Sequence, residues 1–176
     1  MSLVLDTNAL KSVCEYINSQ NEKIVLTHGA YDLLHVGHIE FLRRSKAFCK
    51  YLIVGVDSDE RVYKYKSVLR PIIPVKYRME MLINLKFVDA VFCLEENDLS
   101  DDYFYKLYQM IKPSIITCGK PHRFSAQVAN EIKNLKKANP FFKKAKVEVI
   151  SHQYENIIST TDIINSILSN TKIHSA

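Results

Sequence analysis

Residues 24–26 are an unbroken apolar run, Ile24-Val25-Leu26, and further on Ile39-Glu40-Phe41-Leu42-Arg43-Arg44 places its apolar positions on one helical face. Between them stands His28-Gly29-Ala30-Tyr31-Asp32-Leu33-Leu34-His35-Val36-Gly37-His38. A strand that is apolar at every position is buried on both sides, as in a parallel sheet covered by helices. A buried strand handing over to a helix commits the chain to an α/β architecture. In open α/β sheets, ligands bind outside the carboxyl ends of the strands. The helix start there offers free N–H donors and a field that favours an anion. Gly37, without a Cβ, lets a bound group approach the backbone. His35 and His38 therefore stand at a phosphate site as donors, neutral or cationic.

The rest of the chain repeats the alternation. Strands are expected at 24–27, 51–56, 88–93, 114–118 and 147–150, with helices after His38, near 59–65 and 76–85, from Ser100 to Ile111, at 126–137 behind Ser125, and at 161–168. Asp6-Thr7-Asn8 can cap an additional first helix, within about residues 1–20, that gathers Leu10, Val13, Cys14 and Ile17 on one face. Pro71 and Pro74 bracket a loop and Pro113 stops a helix. Right-handed crossovers turn this order into a Rossmann-like, doubly wound, five-stranded parallel sheet. No linker, repeat or low-complexity segment divides it, so 1–176 reads as a single domain with 170–176 as a flexible tail.

Composition excludes several classes. A chain of 176 residues can bury a sizeable core. It has no apolar run long enough for a membrane span and no basic-then-apolar leader, so the cytosol is the expected compartment. Cys14, Cys49, Cys93 and Cys118 are widely spaced, form no CxxC pair, and read as small buried thiols. The net charge of +5 owes much to Lys133, Lys136, Lys137, Lys143, Lys144 and Lys146. Only Phe141 and Phe142 interleave with them, so a solvated face is favoured over nucleic-acid binding.

His35 and His38 lack the i, i+4 spacing and intervening glutamate of a zinc helix, so no metal ligands are assigned. Imidazoles can instead donate to non-bridging phosphate oxygens, which gather charge in the transition state of phosphoryl transfer. Ser159, Thr160 and Thr161 offer hydroxyls at the start of the last helix, either as an anion site or as a plain N-cap.

The histidine run, with Gly29 and Tyr31-Asp32-Leu33-Leu34 before it, resembles the cytidylyltransferase-like nucleotidyltransferases. Further matches follow in order: 52–59 at the second strand and turn, Lys66 with Arg70-Pro71-Ile72, Arg78, Val88-Asp89-Ala90-Val91, and Ile158-Ser159-Thr160-Thr161-Asp162 near the end. The resemblance runs from about residue 23 to 168. It implies attack of a phosphomonoester oxygen on the α-phosphorus of CTP or ATP, with loss of pyrophosphate and with Mg²⁺ on the triphosphate. It also implies roles for residues. His35 and His38 would hold the triphosphate and its transition state, Lys66 would add charge, and Arg78 would pair with phosphate or order its loop. Gly29, Ala30, Tyr31, Gly37, Lys64, Ser159, Thr160 and Thr161 would line the nucleotide. Asp32 could orient a histidine, hold metal-bound water, stabilise the turn or meet the acceptor.

Departures from the family pattern bear on the acceptor. After the fourth strand the chain reads Cys118-Gly119-Lys120-Pro121-His122-Arg123, where the family often has an aspartate. Lys120, His122 and Arg123 are candidates for an anionic acceptor, or for an ordinary surface turn. Arg70-Pro71-Ile72 points to heptose-phosphate adenylyltransferases, and the histidine run fits these and glycerol-phosphate cytidylyltransferases alike, with a slight lean to CTP. A homodimer follows from the resemblance. A class I aminoacyl-tRNA synthetase is disfavoured, since no Lys-Met-Ser-Lys-Ser loop is present. A nucleotide-binding sensor and a nucleic-acid-binding protein are the non-enzymatic alternatives.

Overall fold

The computed structural model describes residues 3–67, 69–95, 101–119, 137, 145–151, 153–154 and 157–173. In chain order the elements are β1 (Leu3–Leu5), α1 (Thr7–Ser19), β2 (Ile24–Gly29), α2 (Val36–Lys46), β3 (Tyr51–Asp57), α3 (Asp59–Tyr65), α4 (Val75–Ile83), β4 (Ala90–Leu94), α5 (Asp101–Ile111), β5 (Ile115–Gly119), β6 (Lys146–Ile150) and α6 (Thr160–Ile173). The strands form one sheet in the order β1-β4-β3-β2-β5-β6, and every pairing is parallel. The order reverses between β2 and β5, the place where such folds bind ligands.

The strands are apolar throughout because helices cover both faces. Ile24 and Leu26 of β2, with Ile53 and Phe92, pack against Leu10, Cys14 and Ile17 of α1 and Leu107 and Ile111 of α5. Val25, Val54, Val56 and Val91 face the other way, onto Phe41 and Leu42 of α2 and Leu82 of α4. The side-chain period of two thus sends alternate residues into two cores. Asp89 ties the layers: its carboxylate accepts from the Leu52 amide at 2.6 Å and from Lys46 at the end of α2.

The expected α/β class and parallel sheet are observed, with one correction: the sheet has six strands, not five. β1 adds an edge by pairing Leu3, Val4 and Leu5 with Ala90, Val91 and Phe92. Three residues are too few to display a period, so only tertiary pairing defines them. The last helix runs to Ile173, past the expected end at 168. The helix expected at 126–137, apart from residue 137, and most of the late lysines lie outside the described residues. All four thiols are free, Cys14 buried and the others half-buried, and burial pushes the Cys14 pKa up to about 12.

Candidate active site

The turn from β2 to α2 is a strained segment held from three sides. Tyr31 and Leu33 both adopt left-handed backbone, with φ of 50° and 46°. Non-glycine residues persist there only where their surroundings over-determine them. The Arg78 guanidinium donates to the Ala30 carbonyl, to Ile73 O at 2.8 Å and to Asp59 Oδ1 at 2.6 Å. Asp32 sits between the two strained residues, with its side chain fully buried. Its carboxylate accepts from Arg70 Nε at 2.7 Å and from the amides of Ile72 and Ile73 at 2.9 and 3.0 Å. Burial alone would raise its pKa, but the two amides and Arg70 outweigh burial and hold it below the usual carboxylate value. From the far end of the chain, Thr160 Oγ1 donates to Asp32 O at 2.8 Å.

His35 is the N-cap of α2, and its Nδ1 accepts from the Gly37 amide at 3.1 Å. That nitrogen therefore carries no proton, which leaves the proton on Nε2. The His38 ring stacks on the His35 ring at 3.8 Å, and the Tyr31 ring meets His38 edge-on at 5.5 Å.

A cavity of about 460 Å³ opens over this turn. His35, His38 and Gly37 line it from α2, Lys66 and Arg70 from the segment after α3, and Ser159, Thr160 and Thr161 from the start of α6. Gly29, Ala30, Tyr31 and Asp32 complete it from the turn. Burial, with Arg70 nearby, lowers the Lys66 pKa. Ser159 Oγ caps α6, accepting from the Asp162 amide at 3.2 Å and donating to its carboxylate at 2.6 Å.

Two residues given roles on the family resemblance lie outside the cavity, and of the two roles given to Arg78 its contacts match the ordering of its loop. Arg78 is fully buried outside the cavity, and its three nitrogens bind the loop and turn. Lys64 borders a separate depression with Asp59, Glu60, Tyr63, Arg70 and Pro71. Lys120, His122 and Arg123 lie outside the described residues.

Six residues that line the cavity carry no role from the sequence: the polar Arg70, Tyr65 and His28, and with them Phe41, Gly119 and Ile158. Arg70 was visible in the Arg-Pro-Ile segment. Tyr65 donates to Asp57 Oδ2 at 2.7 Å, and Arg61 Nε donates to the other oxygen at 3.0 Å. His28 stood in plain view at the head of the histidine run. Its ring stacks on Phe104 at 4.8 Å, with Nε2 3.2 Å from the Tyr108 hydroxyl. Gly55 on the next strand makes room for it, because a Cβ there would come within 3.2 Å of His28 Cβ and 3.0 Å of Phe92.

Known proteins resemble this chain in sequence and in fold. The proteins named bifunctional protein HldE from Pectobacterium carotovorum subsp. carotovorum and Desulfatibacillum aliphaticivorans are similar. The first is 32% identical over 170 residues, 95% of this chain and 32% of that protein. The second is 37% identical over 123 residues, 70% of this chain and 24% of that protein. The chain thus spans about a quarter to a third of the length of these curated relatives. A solved structure, the lipopolysaccharide core biosynthesis protein from Thermoplasma volcanium, superposes with a TM-score of 0.60 at 28% identity, over 74% of this chain and 97% of that one. A family model described as cytidylyltransferase-like matches residues 26–166, which takes in both the histidine pair and the hydroxyls of α6. With the motifs, the fold and the relatives in agreement, the chain belongs to the cytidylyltransferase-like family of nucleotidyltransferases.

Proposed function

We propose that the chain transfers AMP from ATP to a phosphorylated sugar and releases pyrophosphate. One observation carries the reading. His35 and His38, and the hydroxyls of 159–161, are far apart in sequence and line one cavity. The convergence suits a long polyanion, with imidazole donors at one part and a helix N-terminus at another.

In this reaction an oxygen of the sugar phosphate attacks the α-phosphorus in line, and the bond to the bridging α–β oxygen breaks. No covalent bond to the protein forms, so catalysis rests on positioning and on stabilising charge. His35 Nε2–H and His38 donate to α- and β-phosphate oxygens as charge builds on them. Lys66 supplies a cation beside the transferring phosphoryl group. Thr161 and the N-terminus of α6 hold the departing pyrophosphate, while Ser159 and Thr160 fix that helix start through Asp162 and Asp32 O. Asp32 and Arg78 fix the turn that carries the histidines.

Mg²⁺ belongs to the same proposal. The Asp32 carboxylate is already occupied by three donors, so the cavity fits an ion carried in on the triphosphate better than one held by carboxylates. When bound, the ion neutralises charge on the phosphates. The glycerol-phosphate-like histidine run favours CTP. The HldE relatives and the Arg70-Pro71-Ile72 segment favour ATP, and the lipopolysaccharide core protein favours a sugar acceptor. A homodimer is also part of the reading, through the family resemblance, and sedimentation velocity measures it directly.

Pyrophosphate release with ATP and with CTP, against polyol and sugar phosphates, tests the proposal. Turnover with ATP and a sugar phosphate is expected. Turnover confined to CTP and glycerol phosphate would overturn the choice of substrates, and no turnover with any pair would overturn the transferase. His38→Ala is expected to lower kcat about 10²–10³-fold, as for loss of one transition-state donor.

A further inference from the structure

His28 lines the cavity but has no part in the reaction described above. It is the penultimate residue of β2, on the same sheet face as Ile24 and Leu26, which α1 and α5 cover. Its ring is held on one face and at one edge. Phe104 stacks on it, and Tyr108 Oη lies at hydrogen-bond distance from Nε2. Among the described residues, Nδ1 has no hydrogen-bond partner. The groups suited to a triphosphate are provided by His35, His38, Lys66 and the start of α6. Burial keeps His28 neutral, Arg61 acts in the same direction, and Asp57 opposes them. A neutral imidazole with one nitrogen engaged and the other open to a cavity matches an uncharged polar group. It donates or accepts through that nitrogen according to its tautomer, as a hydroxyl does.

We propose that His28 is a specificity-determining residue, hydrogen-bonding one hydroxyl of the acceptor sugar through Nδ1 while Phe104 and Tyr108 fix its ring. The proposal rests on the sugar-phosphate nucleotidyltransferase reading. A rigid, half-buried polar group discriminates against an acceptor that lacks its partner, because the group is then left unpaired.

The first test is kinetic and compares a sugar 1-phosphate that turns over with its single-deoxy analogues. Wild-type protein is expected to disfavour one analogue by about tenfold in kcat/KM, the loss of one hydrogen bond. In His28→Phe, which keeps a ring on Phe104, that preference falls below about twofold, acceptor KM rises about tenfold, and ATP KM stays within about twofold. His28→Asn, whose side-chain amide reaches the place of Nδ1, restores part of the preference. The same preference in His28→Phe as in wild type overturns the proposal, as does an equal rise in ATP KM.

The second test needs no variant and no turnover. The imidazole resonances of His28 in full-length protein are followed while glucose 1-phosphate, mannose 1-phosphate or inorganic phosphate is added. Shifts with a sugar phosphate and none with inorganic phosphate support the contact. Equal shifts with both, or none with either, refute it. Shifts without turnover on any acceptor would remove the transferase reading and leave the contact standing. Turnover without a His28 effect would do the reverse.

Discussion

Replacing Asp32 with asparagine removes one negative charge and turns one acceptor into a donor, at a position with no exposed side-chain surface. Three donors converge on that carboxylate, from Arg70, Ile72 and Ile73. An amide can satisfy one side, but its NH₂ then faces either the Ile73 amide or the pair from Arg70 and Ile72. Hydrogen bonds to a charged group contribute about 1.5–3 kcal/mol each. Weakening two of the three costs about 3–5 kcal/mol, the range seen when one partner of a buried ion pair is removed. For a chain of this length, each kcal/mol lowers Tm by about 2–4 °C, so a drop of about 10 °C is expected. Calorimetry of wild type, Asp32→Asn, Arg70→Met and the double variant would measure it, with a coupling of about 1–3 kcal/mol between the two positions. The pH dependence carries a sign. The folded carboxyl lies below its ordinary value of 3.8, so the unfolded chain takes up the proton first as pH falls. The stabilisation is complete above that ordinary value and fades as pH drops through the folded one. The difference between wild type and Asp32→Asn should therefore shrink in acid. A Tm within about 2 °C of wild type at neutral pH would refute the tether, as would a difference that grows in acid.

Three further outcomes are expected. Arg78→Met should lower stability by about 2–4 kcal/mol, because two carbonyls lose a charged donor while the partly exposed Asp59 is screened by solvent; a variant that keeps its Tm and only binds nucleotide more weakly would return Arg78 to the phosphate. Thr160→Val removes the hydroxyl that joins α6 to Asp32 O and should cost about 1 kcal/mol by urea unfolding, with a higher KM for ATP; unchanged values for both would argue against a hydroxyl role. Below its ordinary value of 6.5 the folded protein keeps His28 neutral while the unfolded chain protonates, so wild-type stability should decline as pH falls from 6.5 towards 5. The decline should be shallower in His28→Asn, and an identical slope would contradict the burial of this ring.

The fold was legible wherever burial on two faces leaves unbroken apolar runs. Residues 24–26, 52–56 and 115–116 needed no partner to be read as strands, because helices on both sides demand such runs. β1 was hidden since its three residues are defined only by pairing with 90–92. The histidine pair and the hydroxyls of 159–161 were legible as motifs, and it was the family resemblance, not their spacing, that implied they meet on one triphosphate. Arg78 shows the limit of a motif. Its place in the pattern is compatible with phosphate contact or with loop order, and only the Ala30, Ile73 and Asp59 contacts describe what its guanidinium meets.

His28 stood within the motif, but its surroundings were not legible, for another physical reason. Its character comes from Phe104 and Tyr108, which are more than seventy positions away, and from Gly55 on the neighbouring strand. Asp57 and Arg61 form a second buried polar pair beside it, with the exposed Tyr65 donating to Asp57, and Arg61 lies 5.5 Å over the Phe104 ring. Groups that must handle any nucleoside triphosphate sit in contiguous motifs, because a turn and a helix start suffice to present them. Groups that distinguish one acceptor from another have to surround its whole outline, so they are drawn from several strands and helices at once. On the proposed reading, the phosphate-handling groups stand in motifs that the sequence displays, whereas His28 takes its surroundings from packing between β2, β3, α3 and α5.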